Sequence, residues 1–288
     1  MERSTYCSTL FTQLTGGSTS VGDTLRKIKE RKETLRKLKE LDQRKEIVLA
    51  IHYSCESFYD RHDGATPRVT SIAVRNLASG QTESFSIHKV AELKKISIDQ
   101  IRQHYDQLEK AMLDEFWCFL KDNAHCTWLH WNMRDSNYGF QALEHRYKVL
   151  DGTPPLVLKE DKKFDLARAL INIYGISYVE HPRLEKIMHI NGITDKDFLS
   201  GKNEATAFEN SEFVKLHQST LRKVDTLNNL FIRTLDGSLK TNAPWWEARG
   251  IHPQAIAELL TEHWTWTLIA FLGSITSIVA FMLMTSSK

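Results

Sequence analysis

KEIVLAIHYSCE, residues 45–56, is an apolar run of strand length into which His52, Ser54, Cys55 and Glu56 are set. An unbroken run of this kind, with charge at both ends, predicts a strand buried on both faces. A plain core strand needs only apolar residues, so the polar side chains face a metal, a nucleic acid or nothing.

The neighbouring segments supply the surroundings. RVTSIAVRNL, residues 68–77, alternates and runs into the turn ASGQ, and TESFSIHK, residues 82–89, alternates again. Three strands on short connections predict an antiparallel meander. Ile101, Tyr105, Leu108, Met112, Phe116 and Phe119 then recur at helical spacing, with Ser97 as the expected cap. CTWLHWN, residues 126–132, reads as a fourth strand, and a helix is expected from Asp135 to about Val149. DGTPP breaks the pattern, FDLARALINIYG enters a helix at Asp165, HPRLEKIMHING is a further helix, and residues 203–231 are mostly helical. Three strands, a helix, a strand and a helix, with later helices outside, is the order of the α/β ribonuclease H-like fold. Its mixed sheet is flanked by helices and carries its site at the carboxyl ends of the central strands.

The expected organisation is a flexible leader over 1–22, a basic amphipathic helix over 23–46, the ribonuclease H-like domain over 47–236, a linker and interfacial segment over 237–263, and a transmembrane helix over 264–285. WTWTLIAFLGSITSIVAFMLMT carries no charge over about the 20 residues that a membrane crossing needs, and Trp264 and Trp266 stand at its entering end. With no cleavable signal at the start, the expectation is a single-pass C-terminal anchor with the main domain facing the cytoplasm. Between Leu25 and Glu46 lie ten Lys or Arg against five Asp or Glu. That face suits anionic lipid, phosphate or a partner helix. Either helix could mediate homo-oligomers, the last through Ala270, Gly273, Ser274 and Ser277. The net formal charge is only +2, so composition by itself does not mark a nucleic-acid binder. Cys7, Cys55, Cys118 and Cys126 form no CxxC pair, which fits reduced thiols. Cys118, His125, Cys126 and His130 fall close together but lack a second paired motif for zinc.

Three short motifs give the chain a family context. Ser54-Cys55-Glu56 stands at the end of the first strand, LHWNMRD places His130, Asn132 and Asp135 after the fourth, and HQSTLRKVD places His217 and Asp225 on a late helix. In this order they resemble the DEDD-type 3′–5′ exonucleases of ribonuclease H-like fold. Ser54 stands where that family has its first aspartate. The resemblance implies hydrolysis of nucleic-acid phosphodiesters, with Glu56, Asp135, Asp165 and Asp225 holding Mg²⁺ or Mn²⁺. Two such ions activate water and stabilise the leaving oxygen, which takes several converging carboxylates. It further implies Glu56, Asp135, Asp225 and His217 as catalytic residues, and DNA or RNA contacts from Arg222, Lys223 and Asn132. Each residue also has a structural reading: Asp135 and Asp165 as helix caps, His130 as an interior imidazole, Asp225 as a surface partner of Arg222. The serine keeps a second function open, an inactive nucleic-acid or protein binding module tethered to a membrane, and a membrane effector is a third.

Overall fold

The computed structural model describes residues 21–56, 66–134, 137–244, 246–247 and 264–286. Thr34–Ala243 form one compact unit, and Met1–Glu33 with Pro244–Lys288 form another.

The sheet of the larger unit contains β1 (Val48–Cys55), β2 (Val69–Asn76), β3 (Thr82–Ser86), β4 (Thr127–His130) and β5 (Lys163–Asp165), in the order β3-β2-β1-β4-β5. β2 runs antiparallel to β1 and β3, while β4 and β5 run parallel to β1. The chain is therefore α/β, with a mixed five-stranded sheet flanked by helices. β1 is central, hydrogen-bonded on both edges, and all eight of its residues are buried. Its period of two divides the side chains between two cores. Leu49, Ile51, Tyr53 and Cys55 join Leu108, Met112, Phe116 and Trp128 on one face. Val48 and Ala50 join Leu129, Leu170, Val224, Leu227 and Leu230 on the other. His52 and Ser54 continue this second face toward the strand's carboxyl end. Register places Ile51 beside His130 and His130 beside Asp165, so these three cross the sheet on one line.

The helices are α1 (Val21–Asp42), α2 (Ile87–Leu93), α3 (Tyr105–Asp122), α4 (Phe140–Val149), α5 (Leu166–Tyr174), α6 (Arg183–Ile190), α7 (Gly201–Glu209), α8 (Phe213–Leu235) and, in the smaller unit, α9 (Trp264–Ser286). α8 has the clearest pattern. Leu216, Thr220, Lys223, Leu227 and Leu230 recur every three or four residues and are all buried. α1 places Leu38 in the core, with Thr34 also buried. It begins at Val21, so Asp23 and Thr24 lie inside its first turn, and Lys45–Ile47 form a separate 3-10 turn. Ser97 precedes a 3-10 segment, Ile98–His104, and makes no side-chain cap. Its hydroxyl donates to Asp99 Oδ2 at 3.5 Å.

α9 is 23 residues long. Its side-chain exposure is described only over 267–279 and 281–282, where Leu268, Ile269, Phe271, Leu272, Ile275, Ile278, Val279, Phe281 and Met282 are all exposed. Among the residues described in full, no helix is long and apolar enough to cross a membrane. The uncharged run extends over the whole of 264–286. Residues 1–20 of the leader, and 245 and 248–263 of the linker, lie outside the described residues.

Candidate functional site at the exit of the first strand

The polar side chains of the opening strand meet one another. Ser54 is fully buried, and its Oγ donates to Glu204 Oε1 at 2.8 Å. Glu204 comes from α7, also fully buried, and the same oxygen accepts from Ser219 Oγ at 3.2 Å and pairs with Lys223 Nζ at 2.8 Å. Ser71 on β2, opposite Ser54 in register, exchanges a 2.6 Å hydrogen bond with Thr220 Oγ1. α8 therefore presents Thr220, Ser219 and Lys223 to the end of β1. A lysine buried this deeply needs a partner, and the Glu204 carboxylate supplies it.

His52 lies beside this cluster. Its Nδ1 is 3.3 Å from Tyr138 Oη, which also donates to Tyr53 O at 3.1 Å. Desolvation, and secondarily the Lys223 charge, hold the imidazole pKa well below its ordinary value. It is neutral at pH 7. His52 Nε2 and Glu204 Oε2 form no hydrogen bond with the described residues.

The candidate carboxylates do not gather here. Glu56 takes Arg68 O through its own N–H at 2.8 Å, and its side-chain Oε2 accepts from Arg68 N at 3.5 Å. Asp165 is a helix cap. Its Oδ1 accepts from Ala167 N, Arg168 N and Asn132 N at 3.0, 3.3 and 3.1 Å, while Oδ2 lies 2.6 Å from Arg134 Nε, an ion pair off line for a hydrogen bond. Asp225 pairs with Arg222 at 3.0 Å and with Arg75 at 3.8 Å. Asp135 lies outside the described residues. Among those described, no group of three His, Cys, Asp or Glu side chains could hold a metal.

The expected contacts to nucleic acid likewise have partners within the chain. Arg222 donates to Thr194 O through Nε and Nη2 at 3.1 and 2.6 Å. Lys223 belongs to the buried pair, and Asn132 Oδ1 accepts from Arg134. His217 packs edge-on against His88 at 5.0 Å. Burial first, then His88 and Lys89, lowers its pKa to about 4. His130 Nδ1 accepts from Met133 N at 3.2 Å, and desolvation lowers its pKa to about 4 despite Asp165 nearby. Cys118 is exposed and Cys126 buried, and no zinc set forms around them among the described residues.

A Mg²⁺ or Mn²⁺ pair does not fit the described donors. Ser54 supplies no charge, Glu204 already carries an ammonium, and Asp165 and Asp225 have guanidinium partners. No step through a metal is derived.

Sequence reading missed Glu204, and the α8 charge that reaches the end of β1 is Lys223 and not Asp225. Phase held the signal: Lys223 falls in line with Leu216, Thr220 and Leu227, and Glu204 with Ala207 and Phe208. No family model, curated protein or solved structure matches this chain.

Proposed function

We propose that this chain is a membrane-anchored domain of ribonuclease H-like topology that binds a partner and does not cleave phosphodiesters. The strand order β3-β2-β1-β4-β5 with β2 reversed supports the topology. The observation that carries the loss of hydrolysis is the buried ammonium of Lys223, 2.8 Å from Glu204 Oε1, beside Ser54. In this reading a fixed cation occupies the place of an exchangeable one. The anchor is α9, whose uncharged 23 residues at about 1.5 Å each span roughly 35 Å, enough for the hydrocarbon core.

The test is direct. The full chain in detergent is incubated with end-labelled single- and double-stranded DNA and RNA in Mn²⁺. The expected result is no shortening of any substrate. Cleavage that disappears in both Asp135→Ala and Glu56→Ala would establish the divergent exonuclease instead. Flotation of the full chain with liposomes, lost when residues 264–288 are removed, tests the anchor separately.

A further inference from the structure

We infer that the cleft between the end of α1 and the β5 edge is a binding site for a small phosphorylated ring compound of the mononucleotide class. This goes beyond the reading above and does not depend on it. The cleft has a volume of about 330 Å³ and lies at the amino ends of β1, β4 and β5, away from the Ser54 cluster. That volume is at the lower end for small-molecule sites and too small for a folded partner.

Two walls give the cleft its character. Lys37 and Arg44 line one wall, and neither side chain has a partner among the described residues. Lys162, on the other wall, donates to His125 O at 2.8 Å. The acids near them are largely neutralised: Glu40 takes Arg36 at 2.7 Å and Glu160 takes Lys163 at 2.5 Å. The carboxylate of Asp161 has no partner among the described residues. Leu41, Ile47 and Phe164 supply apolar surface between the walls, and Ile47 is 38% exposed although it directly precedes the buried start of β1.

Three cations around an apolar patch match a ligand with an anionic end and a ring. The Asp161 carboxylate offers an acceptor for a hydroxyl or amino group on that ring. Phosphate is preferred over a carboxylate because it offers more charge and more acceptor oxygens to cations on both walls.

Calorimetric titration of the full chain in detergent with adenosine monophosphate, ribose 5-phosphate and inorganic phosphate tests the inference. The nucleotide is expected to bind at least tenfold more tightly than either other probe, because only it reaches the apolar patch. Lys37→Glu with Arg44→Glu should weaken it tenfold or more, and Lys39→Glu, exposed on the same helix outside the cleft, should not. Ile47→Trp fills the cleft without removing charge and should give the same loss, which guards against misfolding of the double variant. Equal affinity for all three probes, no saturable binding, or equal weakening by Lys39→Glu would each overturn the site. None of these outcomes bears on nuclease loss or on the anchor.

Discussion

Lys223→Met keeps most of the side-chain volume and removes the ammonium from Glu204. The carboxylate then retains only the Ser54 and Ser219 hydroxyls, both on Oε1, while Oε2 has no partner among the described residues. Breaking a buried pair by deleting one member typically costs about 3–5 kcal/mol, because the survivor is an uncompensated buried charge. For a unit of this size that is a fall in Tm of roughly 6–20 °C. Glu204→Leu strands the lysine and should cost a similar amount. The double variant, Lys223→Met with Glu204→Leu, removes both charges and should recover to within about 1–2 kcal/mol of the parent. Urea unfolding of the four proteins at pH 7, with constant m-values, measures the coupling. Additive losses below about 1 kcal/mol each would refute the reasoning, because they would mean the pair is solvated.

Acid stability should be set by the buried histidines His52, His130 and His217. His52 is held well below its ordinary value, and His130 and His217 fold with pKa values of about 4 against an ordinary 6.5, so the unfolded chain takes up protons first. Their contribution is present above about pH 6.5 and is lost as pH falls toward 4, by up to about 3 kcal/mol for each of the latter two rings. Denaturation midpoints across that window measure it, and His217→Asn or His130→Asn should flatten the curve. Asp165→Ala should cost about 1–2 kcal/mol through loss of the α5 cap, Asp165→Asn less, and neither should alter any response to divalent ions.

The fold was legible wherever packing follows periodicity. The meander, the strand at Thr127–His130 and the buried line of α8 follow from alternation or helical spacing, and the turn residues fixed the breaks. The chemistry was less legible, since motif spacing picks out an aspartate but not the direction of its side chain. Asp165 reads as a ligand in the family order, yet its carboxylate caps α5. Asp225 faces Arg222 and Arg75, while Lys223 points inward. Phase marks Glu204 as buried but not what it meets, because its partners, Ser54 and Lys223, lie 150 and 19 residues away in the chain. The buried Glu109–Arg146 pair, bidentate at 2.9 and 2.6 Å, escaped for the same reason.

A thermal unfolding series of the full chain in detergent against rising MnCl₂ probes the occupied strand exit most directly. With Lys223 Nζ already on Glu204, the midpoint should not rise in a saturable way. A functional two-metal centre at 100 times its Kd would add about 2.7 kcal/mol, a shift of several degrees. A saturable rise of that size, abolished by Glu56→Ala or Asp135→Ala, would contradict the account.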